Sequence, residues 1–178
     1  MPILEPESHR VAGVVLERLR ASMSASEFGF RVQALSFHIM INLGAQPVQL
    51  NSSGHPDAIV SNRVGLTRVE VEADLGGNRP RQLTPDDLES IRPRSPGDEG
   101  YFAVLFVGPF PRWAVVPYRR VSKRAIGAPP SLLLAISESR LSASWTTELV
   151  AITERNEARL EYLTFDRLKE LAFRGNQI

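Results

Sequence analysis

Two short apolar runs with a polar stretch between them constrain this chain more than any other feature. The first is His55-Pro56-Asp57-Ala58-Ile59-Val60 and the second is Thr67-Arg68-Val69-Glu70-Val71-Glu72-Ala73, with Ser61 to Leu66 between them. Runs of this length and content, broken by turn formers, predict a β-hairpin. A turn centred near Val64 sets Asp57 opposite residues 70 to 72. Strand side chains alternate with a period of two, so Glu70 and Glu72 share one face and Val69 and Val71 the other. A register change of one residue would send Asp57 to the wrong face. In the predicted register three carboxylates meet in one small patch. Like charges repel, so the patch needs something positive in its midst, and a divalent cation with oxygen ligands meets that need.

Composition narrows the classes. The 178 residues suffice for one well-buried domain and make two independent ones implausible. There is no cysteine, which excludes disulfides, thiolate catalysis and cysteine-based zinc sites. No stretch reaches the ~18 apolar residues of a membrane span, and the N-terminus lacks a basic-then-apolar leader, so a cytoplasmic protein is expected. Net charge is +1, so any nucleic-acid surface must come from local segregation of charge. Lysine occurs only at positions 123 and 169, and arginine supplies the rest of the basic charge. No Gly-x-Ser-x-Gly elbow and no phosphate-binding glycine loop with lysine is present, which leaves a hydrolase triad and an NTPase unsupported.

Along the chain, Val11, Val14, Val15 and Leu19 have helical spacing and predict a helix over about His9 to Ala21. Ser24-x-x-Glu27 has the form of a capping box and opens a second helix to about Leu43, with Gly44 at its C′ position. A strand near Pro47 to Leu50 leads into the hairpin. A turn-rich loop over Asp74 to Arg81 follows. Thr84 then reads as an N-cap with Pro85 at the first helical position, opening a short helix that ends before Pro93. Tyr101 to Val107 reads as a buried strand and Arg112 to Val121 as another. Ser131 to Ile136 reads as a further strand, Trp145 to Thr153 fits a strand or the start of a helix, and Thr164 caps a final helix over Phe165 to Phe173, ended by Gly175. The order is helix, three strands, helix, two strands: an α/β chain forming a single domain over 1–178.

With Pro56-Asp57 followed by Glu70-Val71-Glu72 in that order of elements, residues 24–121 resemble the PD-(D/E)XK nuclease superfamily, in a Glu-x-Glu variant whose usual lysine is replaced by Glu72. The resemblance implies a restriction-endonuclease-like fold, a mixed central sheet flanked by helices, with residues 122–178 as a C-terminal extension packed on the core. It implies a metal-dependent DNA endonuclease of the type II restriction class. Asp57 and Glu70 would bind magnesium or manganese together with the Val71 carbonyl oxygen, and Glu72 would help bind the ion or position and deprotonate the attacking water. Glu27 is an extra candidate metal ligand, since family members often supply an acid from the preceding helix; Glu17 is a lesser one. Family members that cut both strands are commonly symmetric homodimers, matching a two-fold site.

Other residues have both a functional and a structural reading. Arg79, Arg81 and Gln82 are candidates for clamping a phosphate, or belong to a solvated loop. Arginine cannot realistically deprotonate, so it would not act as a base. Arg112, Arg119, Arg120, Lys123 and Arg124, with Trp113 and Tyr118 adding aromatic surface, are the best candidates for DNA backbone contacts, or belong to an edge strand protected by charge. His55 reads either as a neighbour of the metal or phosphate or as an incidental loop histidine, and His38 as a partly buried structural one. Two alternatives to the nuclease stand: a nuclease-like domain that has lost its chemistry and binds nucleic acid or protein, and an unrelated α/β interaction protein whose carboxylates face solvent.

Overall fold

The computed structural model describes residues 6–76, 81–121, 126–156, 159–160 and 164–174. Two helices come first. Helix α1 (Pro6–Ala21) buries Ala12, Val15, Leu16 and Leu19, a stripe at helical spacing. Helix α2 (Ala25–Asn42) opens with the predicted capping box: the Ser24 side chain accepts from the Glu27 N–H, and the Glu27 carboxylate accepts from the Ser24 N–H. Gly44 follows with φ +99°, the left-handed conformation expected just past a helix end.

Strands β1 (Gln46–Leu50), β2 (Ala58–Ser61) and β3 (Leu66–Asp74) then form an antiparallel meander. A two-residue strand β4 (Arg81–Gln82) and helix α3 (Pro85–Ser90) lead to β5 (Glu99–Phe106), which runs parallel to β3, and to β6 (Arg112–Pro117), antiparallel to β5. The five long strands make one mixed sheet in the order β1-β2-β3-β5-β6. The chain continues through α4 (Tyr118–Val121), β7 (Ile126–Ala128, paired with β4), α5 (Pro130–Ile136), α6 (Ser139–Asn156) and α7 (Phe165–Phe173). Among the described residues, no helix is long and apolar enough to cross a membrane.

Alternation along the strands divides the interior in two. Val69, Val71, Ala103, Leu105, Trp113 and Val115 join residues of α1, α2, α6 and α7 in the larger core. Phe102, Val104 and Val116 face the other way, onto Leu83, Ile91, Val121 and Leu133. Glu70 and Glu72 have the parity of this second face, so β3 turns its valines to the large core and its acids toward α3. Gly100 sets the approach of α3. A Cβ there would lie 1.7 Å from the Ile91 carbonyl oxygen, so only glycine lets the end of α3 lie against β5.

Three sequence expectations need correction. The strand predicted to reach Val121 stops at Pro117, the last residue paired with β5, and Tyr118–Val121 is helical; proline has no N–H with which to extend the ladder. Residues 131–136 are helical rather than a strand, after a Pro129-Pro130 entry that suits a helix start. A short apolar run such as Leu132-Leu133-Leu134 has no period that tells the two apart. Trp145–Thr153 lies in the middle of α6, not at a helix start or in a strand. That helix also covers the sheet edge: the Thr146 and Ser142 hydroxyls accept from the backbone N–H groups of Trp113 and Val115, each at 3.0 Å. The edge strand is thus protected by a helix. Gly175, the expected end of the last helix, lies outside the described residues.

Candidate active site

The hairpin forms in the predicted register. Ala58 pairs with Val69 and Ser61 with Leu66. Asp57 stands one residue ahead of β2, at the level of Glu70, where β2 leaves β3 and exposes the rest of β3 on that side. The backbone N–H of Asp57 donates to Glu70 Oε2 at 3.3 Å, and the Val71 N–H donates to Asp57 Oδ2 at 2.8 Å. From α2, Gln33 Nε2 donates to Asp57 Oδ1 at 2.8 Å. The loop before Asp57 is tied down by Asn51, whose N–H donates to the Asp57 carbonyl at 2.8 Å and whose side-chain amide donates to the Pro56 carbonyl at 2.6 Å.

Glu70 gathers more than the sequence suggested. Its Oε1 lies 2.5 Å from His55 Nδ1, and the same nitrogen lies 3.2 Å from Asp87 Oδ1. The Ser90 hydroxyl, donating at 2.7 Å to the Asp87 carbonyl, lies 3.4 Å from Glu70 Oε2. Among the described residues, one candidate ligand atom from each of His55, Glu70 and Asp87 falls within 4.8 Å of the others. Asp87, from α3, is therefore a carboxylate of this patch that the hairpin alone does not supply. Glu72 follows on the same strand face and is half-buried.

Burial sets the electrostatics. Asp57, Glu70 and Asp87 are all buried. Removal from water, then the charge of Glu70, pushes the Asp57 carboxyl up to about 7, against the pull of the Val71 N–H. Burial also raises Glu70, opposed by its hydrogen bond to His55. That bond, with the charges of Glu70, Asp87 and Asp57, raises His55. Among the described residues no lysine or arginine pairs with Asp57, Glu70 or Asp87; the basic group that meets Glu70 and Asp87 is the His55 imidazole.

The remaining candidates are dispersed. Glu27 is exposed, with Oε2 accepting from the Ser24 N–H at 2.8 Å and hydroxyl at 2.7 Å. It precedes Gln33 by six residues, about 9 Å of helix, and the α2 side chain that reaches Asp57 is Gln33. Glu17 pairs with Arg20 on α1. Arg112 is exposed and shares a register level with Phe106 and Asp74, four residues past Glu70 on the same face. Arg119 and Arg120 lie to the other side of the Glu70 level. Arg119 lines a cleft with Asp98, Tyr101 and Glu138. Arg120 donates to the Ile136 and Ser137 carbonyls at 3.0 and 2.9 Å, closing the end of α5. Trp113, expected as aromatic surface, is 2% exposed and packs edge-on against Trp145. His38 is fully buried, with Nε2 2.7 Å from the Leu168 carbonyl oxygen. Arg79, Lys123 and Arg124 lie outside the described residues, as do the side chains of Arg81 and Gln82.

Three contributors escaped the sequence reading: Gln33, Asp87 and Ser90. Gln33 had one faint signal, an amide set among apolar residues of α2. Asp87 and Ser90 had only the signals of a helix first turn and its end. Comparison with protein-family models, curated proteins and solved structures gave no significant match.

Proposed function

We propose that this protein is a metal-dependent DNA endonuclease of the type II restriction class, on the PD-(D/E)XK plan with Glu72 in the lysine position. One observation carries the reading: Asp57 and Glu70 meet, by an N–H to carboxylate hydrogen bond, where β2 leaves β3 in a sheet of antiparallel, antiparallel and then parallel pairing. The capped helix α2 precedes that meander, and α3 lies between β3 and its parallel neighbour.

The residues fit a cation. Asp57 and Glu70 are buried, and burial holds both above the usual carboxylate range, the state of acids whose desolvation outweighs the pull of their partners. Asp57, Glu70, Glu72 and the Val71 carbonyl oxygen would hold magnesium or manganese. When bound, such an ion lowers the pKa of water and offsets charge on the phosphate and the leaving oxygen. The chain's own part is positional. Gln33 and the Val71 N–H fix the Asp57 carboxylate, the Asp57 N–H and Ser90 orient Glu70, and Glu72 would take a proton from the attacking water. Arg112, exposed on the same face, would meet a DNA phosphate. A homodimer would match the two-fold symmetry of a duplex site.

The test is incubation of duplex DNA of varied sequence with magnesium or manganese. Cleavage is expected, lost with a chelator and lost in Glu72→Gln while DNA binding persists. Binding without cleavage over a broad substrate panel would instead support a nuclease-like domain that only binds nucleic acid or protein, a reading favoured by the acid at position 72. Neither binding nor cleavage would leave the interaction-protein reading.

A further inference from the structure

A buried carboxylate whose two oxygens face different partners can serve two neighbouring positions, and Glu70 is such a group. Its Oε2 takes the Asp57 N–H at 3.3 Å, while its Oε1 meets His55 Nδ1 at 2.5 Å. On the Oε1 side, His55, Glu70 and Asp87 come from three different elements: the loop before β2, β3 and α3. Their candidate ligand atoms lie within 4.8 Å of one another. Ligand distances of about 2.0–2.2 Å put two donors of one ion roughly 3–4 Å apart, so small side-chain rotations close this set around an ion.

The donors are held in place from outside. Asp87 keeps its second oxygen on the Thr84 N–H at 2.6 Å, leaving Oδ1 for the cluster. Glu70 is held through Oε2. The cluster is open on one side only, since the His55 side chain is 45% exposed while those of Glu70 and Asp87 are 7% and 12% exposed. That gives an ion an entry path and free coordination positions. Charge supplies a separate argument. Three buried carboxylates converge, and the basic group that meets two of them is an imidazole, itself a donor ligand when neutral. Nitrogen is the discriminating donor: magnesium and calcium sites are built from oxygen, whereas imidazole with carboxylates suits zinc and its neighbours.

We infer that His55, Glu70 and Asp87 hold a divalent transition-metal ion of the zinc class, at a position that adjoins the one assigned to Asp57 and Glu72 and shares Glu70 with it. The ligand set stands on its own geometry; its catalytic meaning, a second ion beside the scissile phosphate, rests on the hydrolase reading.

The full chain is titrated with Zn2+ by calorimetry and with Co2+ by visible absorption, as wild type, His55→Ala, Asp87→Asn and Glu27→Gln. Ring resonances of His55 are followed by NMR on adding Zn2+. His55→Ala and Asp87→Asn are expected to weaken Zn2+ binding by at least about tenfold and to remove the cobalt absorption, while Glu27→Gln, at an exposed capping acid outside the site, stays close to wild type. The His55 ring resonances are expected to move. Equal Zn2+ binding by wild type and His55→Ala, or unmoved His55 resonances, overturns the proposal. Asp87 also caps α3, so the half-exposed His55 decides the matter if Asp87→Asn fails to fold. Zinc held through His55 without DNA cleavage in any cation would defeat the hydrolase reading and keep this site. Cleavage in magnesium by a protein that does not bind Zn2+ would do the reverse.

Discussion

Arg68 and Glu70 stand two residues apart on β3, on one face of the sheet, and both are buried. Their surroundings treat charge in opposite ways. Arg68 lies 2.9 Å from Asp98, and Asp98 also accepts the backbone N–H groups of Leu66, Arg94 and Ser95. Those donors, with the guanidinium, pull the Asp98 carboxyl down to about 2. Glu70, with Asp57 and Asp87 around it, meets among the described residues no basic group but the His55 imidazole, and burial raises both Asp57 and Glu70. A carboxylate that builds the fold is met with donors and drops below its ordinary range. A carboxylate left above it, in a half-open cluster, has not been met in that way.

The largest expected effect sharpens this contrast. Asp57→Asn and Glu70→Gln should each reduce DNA cleavage on the order of 10³-fold or more, because each removes a charged ligand. Asp98→Asn should leave the per-molecule rate of the folded protein unchanged. Single-turnover cleavage assays at matched folded concentration check this, and a cleavage loss in Asp98→Asn as large as in Asp57→Asn would erase the distinction between the two regions.

Next come opposite pH dependences. The folded pKa of Asp57 lies above its unfolded value, so its stabilising contribution is complete below about pH 4 and is lost as pH rises through about 7. Without divalent cations, Asp57→Asn should therefore gain stability relative to wild type between pH 5 and pH 8, by about 2–4 kcal/mol. Asp98 has a depressed folded pKa, so its contribution is present above the unfolded value near 4 and is lost as pH falls toward 2. Asp98→Asn should flatten the acid limb of the stability curve. Urea denaturation across pH, with and without Mn2+, measures both, and Mn2+ should restore wild type at pH 8. If Asp57→Asn loses stability on that neutral limb, the cluster is not an unsatisfied one.

Gly100→Ala should cost about 2–3 kcal/mol and carry α3 away from β5, since the added methyl meets the Ile91 carbonyl. Thermal melts check the stability. The sharper readout is cation affinity, which should fall because Asp87 rides on α3, while the Arg68–Asp98 pair is spared. The smallest expected effects lie outside both regions. Ser24→Ala should cost about 1 kcal/mol through the loss of an N-cap, and Glu27→Gln should leave Mn2+ affinity within about twofold of wild type, as expected for an acid engaged in capping. A large loss of Mn2+ affinity in Glu27→Gln would restore it as a ligand.

The sequence alone determined the features that depend on neighbours along the chain. Period-two alternation and the turn near Val64 set the hairpin and its register, and with them the meeting of Asp57 and Glu70. Capping residues placed the starts of α2, α3 and α7, because a cap satisfies backbone groups within three residues of itself. Tertiary structure decided the rest. The bonds of Gln33 to Asp57 and of His55 to Asp87 span 24 and 32 positions, and no local period encodes such pairings. Asp87 illustrates the limit: the sequence marks it only as an acid in the first turn after Thr84, whereas in the fold one of its oxygens caps the helix and the other turns to His55. Only the docking of α3 across Gly100 gives the second oxygen its partner. The same holds for Ser131–Ile136, where an apolar run too short to show its period took its conformation from Pro130 and the surface it packs on.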